Sequence, residues 1–354
     1  MNRWPISPVE NLCCNQSQST GLRGAMRRRN FILLGGAAAA WPLVASAQQP
    51  GRIRLIGVLM GFGESDPAAQ SYLTGFQGAL TKLGWTEGSN LRIEVRWGAG
   101  DADKIRLFAK EIVDLRPDAI VGQSTPVVVA LVRETQTIPI VFLNVADPIG
   151  SGFVVSLARP GGNLTGFVTD NSALGSKWVE LLKEIAPRTV RAALMFNPTT
   201  AVPLKFYMPS FLAASSTLGV EVNATPVHAK DEIESVIAAQ ARNQGSSLIV
   251  MPDPFNGANR EHITLLAARY RVPAMYYRRE FVEAGGLISY ANDFGEQFPQ
   301  AATYVDRILK GAKPDDLPVQ APIKFDLVIN LKTAKSLGLD VPFGMQQRAD
   351  ALIE

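Results

Sequence analysis

From Arg52 onward, short apolar runs alternate with segments whose apolar residues recur every three or four positions. Arg52–Met60, RIRLIGVLM, predicts a strand, and Tyr72, Phe76, Ala79, Leu80 and Leu83 predict the helix after it. Asn90–Trp97 alternates with period two, Asp103–Leu115 is helical, and Ala119–Val121 is a short buried strand. A helix from Pro126 and the strand Ile138–Val145 complete a first series. The pattern then restarts. Lys177–Ile185, Pro203–Leu218, Asp231–Ala241, Asn259–Tyr270 and Phe298–Leu309 predict helices. Arg191–Phe196, Val220–Val227, Ser246–Pro252, Val272–Tyr277 and Gly285–Asn292 predict strands, with a final strand and helix in FDLVINLKTAKSLGL. Continuous apolar strands joined through helices imply parallel sheets covered on both faces. The expected fold class is α/β, with two similar doubly wound parallel-sheet lobes joined by crossover segments.

Composition changes this picture little. The chain has 354 residues, 47% hydrophobic and 19% charged, enough for two compact units. The formal charge of +3 is concentrated near the start: residues 1–47 carry Arg3, Arg23, Arg27, Arg28 and Arg29 against Glu10. The remainder has 30 basic and 31 acidic residues, so charge gives no support to nucleic acid as a partner. Arg27–Arg29 followed by Phe31-Ile-Leu, an apolar run, Pro42 and Ala45-Ser-Ala47 predict a secretory signal cleaved after Ala47, of Tat or Sec type. Met26 immediately precedes the arginines, which makes residues 1–25 a candidate over-extended start. Both cysteines, Cys13 and Cys14, precede that site, so the expected mature protein has no disulfide or thiol chemistry.

Five turns pair a capping residue with proline: Asp66-Pro67, Thr125-Pro126, Asp147-Pro148, Asn197-Pro198 and Asp253-Pro254. Each suits a helix start, the side-chain oxygen taking a free N–H and proline the first helical position. Most follow a strand, which places them at the carboxyl edge of a parallel sheet, where open α/β sheets bind ligands. Ser124 and Thr125 at a helix N-terminus suit a carboxylate. Asp147 and Asp253 can take a cation, Tyr276 and Tyr277 offer aromatic faces, and Arg278 and Arg279 can clamp an acid. Catalytic candidates are few. His228 and His262 have no partner at metal-ligand spacing, Gly61-Phe62-Gly63 departs from a dinucleotide fingerprint at Asp66, and Ser124 has no evident base. No enzyme activity and no cofactor are expected.

STPVVVAL, TIPIVFLNVADPIGSGFVVSLARPGGNLTGF (Thr137–Phe167), LLKEIAP, MFNPTT, RILKGAKPDDLPV and LVINLKTAKSLGL fall in order along the chain. Together they resemble the ABC transporter substrate-binding family that includes tryptophan and aromatic-amino-acid receptors, from about Arg52 to Leu339. The resemblance implies a type I periplasmic-binding-protein fold. It also implies a periplasmic receptor rather than a catalyst: a two-lobed monomer that closes on a small molecule and presents it to ABC permease subunits in the inner membrane. Carried over by position, the family's A-T-P hinge falls on Ser124-Thr125-Pro126 and its T-D-P turn on Ala146-Asp147-Pro148. Its asparagine-proline turn falls on Asn197-Pro198-Thr199 and its P-T-D-N turn on Pro252-Asp253-Pro254-Phe255. The S-D-x-D segment falls on Tyr276-Tyr277-Arg278-Arg279, a departure that implies a more anionic or aromatic ligand than an amino acid.

The expected ligand-binding residues are therefore Asp66, Ser124, Thr125, Asp147, Asn197, Asp253, Tyr276, Tyr277 and Arg278. Chain crossings are expected near Thr165–Asp170, Tyr290–Asp293 and Gly311–Lys324. These give one lobe of 52–168 plus 293–315 and another of 169–292 plus 316–354. Two alternatives remain open on sequence: an exported α/β enzyme acting on a small carboxylate, and a ligand-sensing module for a membrane sensor.

Overall fold

The computed structural model describes residues 52–169, 173–202 and 204–354. The expected signal segment lies outside them. The first series of elements is β1 (Arg54–Met60), α1 (Pro67–Lys82), β2 (Leu91–Trp97), α2 (Ala102–Asp114), β3 (Ala119–Gln123), α3 (Thr125–Glu134), β4 (Ile140–Val145) and β5 (Leu164–Val168). The second opens with α4 (Leu174–Ile185), β6 (Arg191–Phe196), α5 (Met208–Leu218), β7 (Glu221–Pro226), α6 (Glu232–Ala241) and β8 (Ser246–Val250). It continues through α7 (Pro254–Ala258), α8 (Arg260–Arg269), β9 (Ala274–Tyr276), α9 (Arg279–Glu283) and β10 (Ile288–Ala291). The chain ends with α10 (Gln297–Leu309), β11 (Asp326–Asn330), α11 (Leu331–Leu337), α12 (Phe343–Arg348) and β12 (Ala351–Ile353).

These strands form two sheets, ordered β2-β1-β3-β4-β5 and β12-β11-β10-β9-β8-β6-β7. The apolar runs that predicted β3, β4 and β8 lie inside these sheets and are buried along their whole length; β5, where a chain crossing rather than a strand was expected, is an edge strand equally buried. Such strands carry apolar residues on both faces because helices cover both faces. The edge strand β7 is mostly exposed. In the second sheet, Trp178 of α4 is buried and donates its indole N–H to the Tyr290 carbonyl at 2.8 Å, which satisfies its one polar atom. Although α10 follows β10 of the second sheet, it packs on α1 and reaches β4 of the first. The chain therefore passes between the two sheets before and after α10, as it does between β5 and α4.

Three local expectations need correction. The second sheet is not wholly parallel, because β11 runs antiparallel to β10. The chain re-enters that sheet from α10 on the other side rather than through a covering helix, which frees it from the parallel crossover geometry. The helix expected from Asn259 is preceded by the separate short helix α7, which Asp253 caps. The segment from Pro203 begins as a single 3-10 turn, Leu204–Phe206, before α5. In addition, α12 and β12 follow the last element that periodicity revealed; at six and three residues they are too short to show a period.

Candidate functional site

The carboxyl ends of the strands of both sheets meet around one narrow cavity. It is lined on the first-sheet side by Phe62, Gln123, Ser124, Thr125, Pro126 and Asn144. The second-sheet side supplies Thr200, Val202, Pro252, Asp253, Pro254 and Tyr277, and the crossing segments add Thr169 and Phe294. Its volume is about 30 Å³, room for roughly two waters. Open grooves flank it on both sides, one between residues 63–67 and 258–262, the other between the α2–α3 surface and Thr199. The two halves touch closely there. A Cβ on Gly100, whose φ is +70°, would stand 2.7 Å from the Pro254 carbonyl oxygen, so only glycine lets the loop after β2 meet the start of α7.

Backbone strain gathers at this edge. Ala99, Ser124, Asn144 and Asp147 all have positive φ. Ser124, at φ 86° and ψ 153°, occupies a region that is nearly exclusive to glycine. It is the N-cap residue of α3 but makes no side-chain cap bond, and its buried Oγ has no hydrogen-bond partner among the described residues. Thr125 does not cap the helix either. Its Oγ1 accepts from the Ala146 N–H at 3.2 Å, tying the start of α3 to the exit of β4.

A polar relay fixes the floor. Gln123 accepts from the Gly61 N–H at 2.9 Å and donates to Asn144 Oδ1 at 3.3 Å. The Asn144 backbone N–H and Nδ2 both donate to Gln297 Oε1, at 2.8 and 3.1 Å. Gln297 in turn donates to the Val168 carbonyl at 2.9 Å. The first residue of α10 thus holds the ends of β4 and β5 in place.

Opposite lies Asp253, 2% exposed. Its Oδ2 accepts from the Asn197 N–H at 2.6 Å, and its Oδ1 from Thr200 Oγ1 at 2.6 Å and the Phe255 N–H at 2.9 Å. Burial pushes its pKa up to about 6, against the lowering effect of those three donors. Tyr277 donates its hydroxyl to the Asp253 carbonyl at 2.9 Å. Burial holds the phenol pKa of Tyr277 above its ordinary value, despite the nearby Arg278 cation.

Arg278 is 1% exposed. Its guanidinium carbon lies 4.7 Å from the Phe62 ring centre, 5.6 Å from Tyr277 and 5.8 Å from Phe294, three rings that line the cavity. Glu280 Oε2 stands 3.5 Å from Nε. Burial opposes the arginine's charge, but Glu280 and the neighbouring acids and phenols outweigh it and hold the pKa high. Glu280 also accepts from Tyr72 of α1. Its own carboxyl is held low despite burial, by Arg278 and that hydrogen bond.

Of the residues expected from sequence, Ser124, Thr125, Asp253 and Tyr277 line the cavity, and Arg278 sits among its rings. Asn197 supports it from behind: its backbone binds Asp253, and its Oδ1 accepts from the Thr199 N–H. Asp66 lies at the rim, capping α1 and pairing with Arg260 at 2.6 Å. Asp147 closes a turn onto the Gly150 N–H at 2.8 Å rather than starting a helix, and does not line the cavity. Tyr276 faces away, stacked on Phe281 with ring centres 5.0 Å apart. Tyr276 is the last residue of β9, and the chain bends just after it, so Tyr277 alone of the two lines the cavity. Phe62, Gln123, Asn144, Thr169, Thr200 and Phe294 were not among the expected site residues. Phe62 and Gln123 carried a usable signal, since Gln123 ends one buried first-sheet strand and Phe62 lies two residues past another.

The family model described as ABC transporter substrate binding protein matches residues 62–353. A tyrosine-binding protein of Clostridioides difficile is 25% identical over 273 residues, 77% of this chain and 78% of that protein. Among solved structures, an ABC domain from Streptococcus pneumoniae in complex with L-Trp superposes with a TM-score of 0.76 at 27% identity, over 85% of this chain and 99% of that one. A ligand-free, open substrate-binding protein with adhesive properties from Clostridium difficile gives 0.60 at 25% identity, over 85% and 99%. Such solute-binding proteins share the type I periplasmic-binding-protein arrangement of two α/β sheets seen here. With nearly the whole described chain matched, this protein belongs to the ABC transporter substrate-binding protein family.

Proposed function

We propose that this protein is an extracytoplasmic solute receptor of an ABC importer, capturing an aromatic amino acid or an aromatic or organic carboxylate and delivering it to a membrane permease. The observation that carries this reading is the cavity itself. It is enclosed by the carboxyl ends of strands from both sheets, walled by Phe62, Tyr277 and Phe294, and provided with a few fixed polar groups. Its two sides belong to lobes of 52–168 plus 293–315 and 169–292 plus 316–354, which rotate about the three crossing segments. The better superposition on the L-Trp complex than on the open ligand-free relative, at similar identity, supports a closed arrangement here. In that arrangement the cavity is small, and admitting a ligand requires the lobes to part and reclose around it.

Ser124 and Thr125 at the start of α3, with Asp253, Tyr277 and Arg278 opposite, form the ligand site. Asn197 and Asp66 act as supports, and Asp147 contributes through the turn after β4. This reading is of binding rather than catalysis: the acid at the cavity, Asp253, already accepts three hydrogen bonds, shared over both oxygens, and so serves as a fixed polar wall. The receptor works as a monomer in the periplasm, exported through a Tat or Sec signal cleaved after Ala47. Mass spectrometry of molecules released by denaturing the protein purified from its own periplasm tests the reading. About one equivalent of a single small aromatic acid is expected. Release of no small molecule, together with unchanged solute uptake in a deletion strain, would contradict it.

A further inference from the structure

We infer that the cavity selects an aromatic carboxylate lacking an α-ammonium group, and that Arg278 receives the carboxylate. The inference rests on the receptor reading above and narrows its ligand class. It follows from comparing the free donors and acceptors around the cavity.

On the donor side, Arg278 is nearly fully buried, yet Nε, Nη1 and Nη2 donate no hydrogen bond to any described residue. A guanidinium presents five N–H groups in a planar fork, and burying them unpaired is costly. Glu280 supplies a countercharge at 3.5 Å, but not a hydrogen bond, and shares itself with Tyr72. The fork therefore keeps its donors for another partner, and two coplanar oxygens match it best. It lies among Phe62, Tyr277 and Phe294, the rings that would hold the aromatic part of the same ligand. Ser124 Oγ, also buried and without a partner among the described residues, adds a second free polar group in the cavity lining.

On the acceptor side, Asp253 is the one carboxylate that lines the cavity among the described residues, and both of its oxygens are engaged. Gln123 Oε1 is taken by Gly61, and Asn144 Oδ1 by Gln123. An α-ammonium entering the cavity would lose its water and meet a neighbouring guanidinium, while the nearest further carboxylate, Glu280, already serves as that guanidinium's countercharge and Tyr72's acceptor. A deaminated analogue avoids that cost and keeps both the ring and the carboxylate.

The test uses full-length mature protein freed of ligand by unfolding, dialysis and refolding. Titration calorimetry compares indole-3-propanoate, 3-phenylpropanoate and 3-(4-hydroxyphenyl)propanoate with L-Trp, L-Phe and L-Tyr. At least one deaminated acid is expected to bind at least about tenfold more tightly than its amino acid, and Arg278→Gln to weaken that acid about a hundredfold. Arg279→Gln, which replaces a half-exposed arginine paired with Glu283, is expected to leave binding unchanged. If Arg278→Gln does not refold, Arg278→Lys replaces it, with a loss of at least about tenfold expected because an ammonium lacks the planar fork. An amino acid that binds as tightly as its deaminated partner overturns the inference and leaves the receptor reading intact. Wild-type affinity in the Arg278 variant overturns it as well. If none of the six binds, this ligand class is wrong, and the identity of any molecule released from the native protein decides separately whether the receptor reading survives.

Discussion

Ser124 concentrates the physical cost of the cavity in one residue. Its backbone lies in a conformation almost reserved for glycine, and its hydroxyl is buried without a partner among the described residues. Ser124→Gly removes both penalties, so ligand-free protein is expected to gain about 1 kcal/mol in urea unfolding. A loss of stability would mean that the hydroxyl has a compensating partner. Asp253 gives a second prediction. Its carboxyl titrates near pH 6 in the fold against 3.8 for the free group, so the folded state holds the proton more tightly. Its contribution is fully present below about pH 4 and is lost as the pH rises through 6. The stability of wild type relative to Asp253→Asn should therefore fall between pH 4 and 6 and level off above. A difference that rises over that interval would place the pKa on the other side of its ordinary value.

Among the elements, α10 supports the site without lining it, because Gln297 at its start joins β4 to β5. Gln297→Ala leaves the Asn144 N–H and the Val168 carbonyl without these bonds in a buried setting, at an expected cost of about 3 kcal/mol. Urea denaturation should show a lower midpoint with an unchanged slope; a shift within error would mean that α10 is not needed to set the floor. Most elements were legible in the sequence. The strands announced themselves through continuous apolar runs, and the helices through their three-to-four-residue spacing. The cap-proline turns correctly marked the starts of α1 and α7, where Asp66 and Asp253 accept from backbone N–H groups. They could not distinguish those turns from Asp147, whose side chain closes a tight turn instead. The direction of β11 depends on the route through α10, which no local pattern encodes. The choice between Tyr276 and Tyr277 depends on where β9 ends, and a strand of only three residues that stops between the two tyrosines hides that. The burial of Arg278 was equally hidden, since an arginine beside a helix start ordinarily reads as solvated.

At the scale of the molecule, the two sheets are held together across the cavity by side chains as well as by the chain crossings. Arg260 of α8 pairs with Asp66 before α1, Tyr72 of α1 donates to Glu280 of α9, and Arg278 lies over Phe62. In a receptor that opens and closes, these contacts favour the closed form and lower the cost of capturing a ligand. Arg260→Gln is expected to weaken ligand binding about fivefold, corresponding to about 1 kcal/mol for a partly buried pair, while leaving the cavity walls unchanged. Equal affinity in calorimetry would show that the pair does not bias closure. The central claim, that this cavity captures a small aromatic acid, is tested most directly by the melting temperature of ligand-stripped protein across a panel of aromatic amino acids and aromatic carboxylates. A binder present at a hundred times its Kd should add about 2.7 kcal/mol of stability and move the transition upward by several degrees. A panel in which no compound shifts the transition would contradict the claim.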